Sequence, residues 1–226
     1  MNPSDDKEQS AFIVAAPSSS SGKTTVALGL MAAIKARGIQ VQPFKAGPDY
    51  IDPAHHKRIC ERPSYNLDTW MMGDSPVKET FARAMEDTRV GIVEGVMGLF
   101  DGKGGGLAGS TAELSKALDI KVILVVNAKG MAGSVAAIIK GFEEFDEEVK
   151  LAGIILNKVG SERHFLILKE AIEANCKSPV LGYLPRDESI AIGERHLGLL
   201  GTGESNIDIA ALAEMITTHV DIDELI

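Results

Sequence analysis

The chain has 226 residues, 45% of them hydrophobic and 24% charged, a composition that supports one good core. Its formal net charge is −9, and no run of Lys and Arg is long enough to make a basic patch, which argues against DNA or RNA as a partner. No apolar stretch approaches the ~20 residues of a membrane span, the acidic start MNPSDDKEQS is not a signal peptide, and Cys60 and Cys176 have no Cys-x-x-Cys partner; the expectation is a cytoplasmic protein with reduced thiols and no membrane contact.

Residues 1–10 read as a flexible tail and 11–226 as one unit. The first apolar run, Phe12–Ala16, reads as a strand. Pro17-Ser18-Ser19-Ser20-Ser21-Gly22 follows, and Lys23-Thr24-Thr25 opens a helix. This is a phosphate-binding loop in strand–loop–helix context, with Pro17 in place of the usual first glycine. Pro17 removes one N–H, but Ser19, Ser20, Ser21 and Gly22 still offer main-chain donors to phosphate oxygens, and the helix start adds partial positive charge. Lys23 is expected at the β and γ phosphates, and the Thr24 hydroxyl at Mg²⁺, with Thr25 beside it.

Val26, Leu30 and Ile34 share one helical face, with Lys35 and Arg37 in the last turn and Gly38 as a cap. The run Ile39–Phe44 reads as the second strand and leads into QPFKAGPDYIDP. Lys45 stands at its carboxyl end; Asp49 and Asp52 flank Tyr50 and Ile51 in a Pro-bounded loop beside the nucleotide. His55 and His56 point ~100° apart on a helix, so they make no shared metal site; they are expected at the surface or, at most, against an anionic ligand.

Val90–Val96 reads as a third strand, and Glu94 on it points into the crevice as a Mg²⁺ ligand or a base. Asp101 opens the glycine-rich, mobile stretch DGKGGGLAG and can meet substrate or metal. Val122–Asn127 is the next strand. Met131, Val135, Ile138, Ile139, Phe142 and Phe145 then repeat the helical period. Leu151–Leu156 leads to Asn157 and Lys158, placed to pair with a purine edge and to cover its ring. A helix through Phe165, Leu168 and Ile172 starts at Ser161. The strand Val180–Leu184 ends at Pro185, a candidate wall of the base pocket, and a last helix runs through Ser205, Ile207, Ala210, Leu212 and Met215. Strands of this kind alternating with helices imply an α/β fold with a mostly parallel central sheet flanked by helices.

The stretches APSSSSGKTT, QPFKAGPDYIDPAHH, YNLDTWMM, VEGVMGLFDG, LNKVGSERH, GYLPRD and ERHLGL together resemble the ATP-dependent domain of the cobyrinate a,c-diamide synthases of cobalamin biosynthesis. The likeness runs from about Ala11 to Leu200. It implies a P-loop fold of the dethiobiotin-synthetase-like branch, with ATP and Mg²⁺ as cofactors. It also implies amidation of the a and c acetate carboxylates of cobyrinic acid through an acyl phosphate. The resemblance places Asp49, Glu94 and Asp101 at the metal and the reacting carboxylate, and Tyr50 and Ile51, with Asp52, near the substrate. The family's full chain also carries a glutaminase domain that frees ammonia. Nothing in this sequence matches it, so ammonia is expected from solution or from a glutaminase domain or subunit, and a homodimer is a further possibility. Dethiobiotin synthetase, cobyric acid synthase and nickel-sirohydrochlorin diamide synthase are related alternatives. A partition or switch ATPase is one of another class, weakened because no second lysine stands early in the phosphate loop.

Overall fold

Side chains alternate across a strand, so a strand that is apolar at every position must bury both faces. β1 (Ser10–Ala15) does so: Phe12 and Val14 face one core while Ile13 and Ala15 face another. The computed structural model of the protein describes residues 9–186 and 208–226. After β1 come α1 (Lys23–Ala36), β2 (Val41–Ala46), α2 (Ile51–Cys60), β3 (Tyr65–Leu67), α3 (Thr69–Met72), α4 (Asp74–Met85) and β4 (Val90–Glu94). The second half contains α5 (Thr111–Leu118), β5 (Lys121–Asn127), α6 (Ser134–Phe145), β6 (Leu151–Val159), α7 (Glu162–Glu173), β7 (Val180–Pro185) and α8 (Ile209–His219). The expected start of the last helix at Ser205 and Ile207, together with Asp187 and the ERHLGL stretch, lies outside the described residues.

The strands form one parallel sheet in the order β3-β2-β4-β1-β5-β6-β7. From β1 the chain builds outward to β2 and β3, returns to insert β4 beside β1, and then builds the other half. That reversal opens a crevice at the carboxyl ends of the central strands, where α/β sheets bind ligands. α1, α2 and α8 cover one face, around Val26, Leu30, Ile59, Leu212 and Ile216. α4, α5, α6 and α7 cover the other, around Val77, Leu114, Ile139 and Leu168.

The expected strands are all present, and β1 begins two residues before the expected one. β3 and α2 had no apolar signal. β3 has only three residues, too few to show alternation. α2 turns Asp52, His55 and His56 inward along with Ile59 and Cys60, so its buried face is largely polar. α1 is apolar on nearly every side because the sheet, α2 and α8 enclose it. α8 comes so close that a Cβ on Gly29 would lie 2.6 Å from Ile216 Cγ1.

Candidate nucleotide and carboxylate site

The phosphate loop leaves β1 at the centre of the sheet and turns sharply into α1. Ser20 (φ 60°) and Gly22 (φ 96°) both take left-handed backbone. Gly22 is required on two counts: its φ suits glycine, and a Cβ there would fall 2.0 Å from Asn157 Nδ2. Ser21 Oγ donates to Ser18 O at 2.9 Å, and Lys23 Nζ donates to the same carbonyl at 3.3 Å. The loop is thus shaped by its own side chains, with Ser19 and Ser20 exposed above the helix start and Thr25 in the first turn.

Asn157, expected at a purine edge, lies under this loop. Its Nδ2 donates to Ser21 O at 2.9 Å and its Oδ1 accepts from Lys158 N at 2.8 Å. Lys158 itself adopts φ 58°. Pro185 pairs in register with Val159, at the end of the strand that carries both residues.

Glu94, at the end of β4, is the centre of a buried charge cluster. Its Oε1 accepts from Thr24 Oγ1 at 2.5 Å and lies 3.3 Å from Lys45 Nζ; its Oε2 is 2.8 Å from His56 Nε2. Lys45 also pairs with Asp52 Oδ2 at 2.9 Å and donates to Gly95 O at 3.0 Å. An ionised carboxylate only accepts, so His56 Nε2 carries the proton in that bond, and Nδ1 meets Ser64 Oγ at 2.9 Å. Burial acts to raise the Glu94 pKa, but the Lys45 charge and the hydrogen bonds from His56 and Thr24 outweigh it and hold the carboxyl far below its ordinary range. Burial likewise works against the Lys45 ammonium; Glu94 and Asp52 overcome it and raise its pKa. Burial lowers that of His55.

Two expectations change here. His56 is fully buried and His55 nearly so, not surface residues, because α2 presents that face to the sheet. His56 lies one turn from Asp52, the spacing that puts two side chains on one helical face; that was the signal available for it. Asp52, expected at the substrate, is 1% exposed and lies behind Lys45 as its counter-ion.

Asp49 stays at the rim, where its Oδ1 accepts from Ile51 N at 2.8 Å and Asp52 N at 3.3 Å. Its carbonyl accepts from Asn66 Nδ2 at 2.6 Å, which ties the loop to β3. Tyr50 beside it is 78% exposed, while Ile51 opens α2. Asp101 is exposed, and its Oδ2 accepts from Gly98 N at 2.8 Å. The segment leading to it lies against the phosphate loop, since Leu99 N donates to Ala16 O at 2.8 Å. The structure therefore joins Thr24 and Glu94 directly, links Asp49 to them through Asp52 and Lys45, and brings Asp101 alongside from the β4 loop.

A hydroxyl and a carboxylate in contact at a helix start fit a hard cation such as Mg²⁺, which takes one or two protein oxygens and completes its shell from phosphates and water. Among the described residues no group of three or more His, Cys, Asp or Glu side chains forms an all-protein metal cage. Cys60 is buried, and burial pushes its thiol up to about 12, so it is no nucleophile at neutral pH. No described helix is long and apolar enough to cross a membrane.

The family model described as CobQ/CobB/MinD/ParA nucleotide binding domain matches residues 12–199. The chain is 46% identical to a cobyrinate a,c-diamide synthase from Priestia megaterium, over 95% of this chain and 47% of that protein. It is 47% identical to a hydrogenobyrinate a,c-diamide synthase from Brucella anthropi, over 95% of this chain and 50% of that one. It thus spans about half the length of these curated relatives. Among solved structures, the signal recognition particle receptor FtsY from Elizabethkingia anophelis in complex with GDP superposes with a TM-score of 0.54 at 14% identity, covering 81% of this chain and 59% of that one. FtsY from Thermotoga maritima does so with a TM-score of 0.54 at 17% identity, covering 93% and 69%. At these identities the likeness speaks for the fold alone.

Proposed function

We propose, for a chain that belongs to the CobQ/CobB/MinD/ParA nucleotide-binding family, that it is the ATP-dependent part of an amide ligase acting on acetate carboxylates of a corrin-type tetrapyrrole. The reading draws on the names of its relatives, which share an a,c-diamide product and differ between cobyrinate and hydrogenobyrinate. The reacting groups are the side-chain acids common to both. The observation that carries it is the direct Thr24–Glu94 contact at the mouth of the phosphate loop, with the Asp49 and Asp101 loops on the same sheet edge.

A carboxylate is a poor acyl donor until its oxygen carries a good leaving group. In the proposed sequence, a substrate carboxylate oxygen bonds to the γ phosphorus of ATP, and the bond from that phosphorus to the β-bridging oxygen breaks, releasing ADP. Ammonia then adds to the acyl carbon through its lone pair, loses a proton, and expels inorganic phosphate to leave the amide. The protein's task is to bring two anions together and hold them. Loop amides from Ser19 to Gly22 and the Lys23 ammonium face the phosphates. Thr24 and Glu94, with Asp49 nearby, would hold Mg²⁺, which supplies charge neutralisation at the phosphate oxygens. Lys45, kept charged by Glu94 and Asp52, adds a fixed positive charge behind the site. Asp101, Tyr50 and Ile51 line the side from which the carboxylate would arrive, while Lys158 and Pro185 would border the base. Ammonia comes from solution or from a glutaminase domain or subunit, and the setting is cytoplasmic.

The test is to incubate the chain with ATP, Mg²⁺, ammonium and cobyrinic acid, and to follow diamide by mass spectrometry and phosphate release together. Amide formed in step with phosphate is the expected result. Phosphate release that is indifferent to the tetrapyrrole, or triggered only by a protein partner, would overturn the proposal.

A further inference from the structure

α3 carries three exposed apolar side chains at the carboxyl edge of the sheet: Trp70 (57% exposed), Met71 (70%) and Met72. Met97, on the loop after β4, is exposed as well. Large apolar groups at such a density usually mark a contact surface. Their position is fixed. Glu113 Oε2 accepts from Thr69 Oγ1 at 2.5 Å and from Gly109 N at 2.7 Å, so a single carboxylate clamps α3 to the glycine-rich stretch. Gly109 lies so close beneath Trp70 that a Cβ there would sit 3.2 Å from Trp70 Cβ. Lys103 Nζ stands 3.7 Å from the centre of the indole ring. Among the described residues no carboxylate pairs with that ammonium.

Both loops that frame the reaction lead to this spot. Lys103 is two residues beyond Asp101. Trp70 is four residues beyond Asn66, whose amide holds the Asp49 loop. We propose that Trp70 and Lys103 form the shelf that receives the tetrapyrrole: the indole surface left open by Lys103 lies against the flat macrocycle, and the ammonium pairs with a peripheral carboxylate other than the one being activated. The chemistry called for is a broad, planar, apolar ring fringed with carboxylates, and the shelf offers an aromatic plane beside a cation at its edge. The inference rests on the proposed function and adds to it the residues that recognise the ring. It also gives the glycine-rich stretch a task, which is to carry a charge to the indole.

Trp70 is the only tryptophan in the chain, so its fluorescence reports the shelf. Titration of the full chain with cobyrinic acid is expected to quench it with a midpoint that follows the KM for that acid, whereas ATP with Mg²⁺ alone leaves it nearly unchanged. Trp70→Ala and Lys103→Ala are each expected to raise the KM for cobyrinic acid about tenfold, with kcat and the KM for ATP held within about twofold. Trp70→Phe retains most of the affinity, and Lys103→Glu loses more than Lys103→Ala. If both alanine variants keep the parent KM while the parent chain makes diamide, the shelf is wrong and the function stands. If their KM for ATP rises as much as that for cobyrinic acid, the pair merely pins the loop and the shelf is again wrong. If the parent chain neither quenches nor amidates, the proposed function fails and takes the shelf with it.

Discussion

Replacing Glu94 by glutamine changes few atoms and tests the whole buried cluster. The amide oxygen can still accept from Thr24 or Lys45, but the amide nitrogen then faces the N–H that His56 aims at Oε2. Two donors cannot share a bond, so His56 must shift its proton to Nδ1 and turn the Ser64 hydroxyl from donor to acceptor. Lys45 keeps Asp52 as a counter-ion but loses its other one. The net loss is one partly compensated charge and one charge-assisted hydrogen bond in a dry site, about 2–4 kcal/mol. For a chain of this size that lowers the melting temperature by roughly 5–15 °C. Turnover is expected to fall by about 10²-fold or more, and nucleotide affinity by less than about tenfold. Calorimetry, phosphate release and nucleotide titration read these three quantities. A Glu94→Gln protein that melts and turns over like its parent would falsify the assignment of Glu94 as the hub.

The acid limb follows from the same carboxylate: its folded pKa lies below the ordinary 4.5, so its stabilisation is complete above that value and drains away as pH falls below it; the urea midpoint of the parent is expected to drop more steeply below about pH 4.5 than that of Glu94→Gln. Asn157→Ala withdraws the support under Ser21 and is expected to cost about 1–2 kcal/mol and to weaken ATP binding severalfold in a filter or fluorescence titration; unchanged ATP affinity would show that the loop holds its shape alone. Gly29→Val should destabilise by about 1–3 kcal/mol through overlap with Ile216, and Ile216→Ala in the same chain should recover part of the loss in a denaturant series; strict additivity of the two changes would mean the helices do not meet there. Cys60 is expected to resist iodoacetamide in the native protein at pH 8 and to react once urea is added, with rapid native labelling counting against its burial.

The strands announced themselves because a doubly covered sheet demands apolar residues at consecutive positions, as Val122, Ile123, Leu124, Val125 and Val126 illustrate. The phosphate loop was equally plain, since its small residues and terminal lysine have few other uses. α2 was not, because apolar periodicity is blind to a face built from Asp52 and His56, which tolerate burial only by pairing with Lys45 and Glu94. Asn157 and Glu94 were legible as strand-end residues; their partners were not, since Ser21 and His56 reach them only once the sheet order is fixed. The meeting of Trp70 with Lys103 is likewise a product of the fold, made by the Glu113 clamp and carried by no local pattern.

The helix that follows the phosphate loop has its far side covered by α8, through the approach of Gly29 to Ile216. The carboxyl-terminal segment is in turn moored to the sheet, where Asp221 N donates to Leu181 O at 2.8 Å. If nucleotide binding stiffens α1, then Ile216→Ala is expected to weaken nucleotide affinity, and bound nucleotide to slow hydrogen exchange in α8.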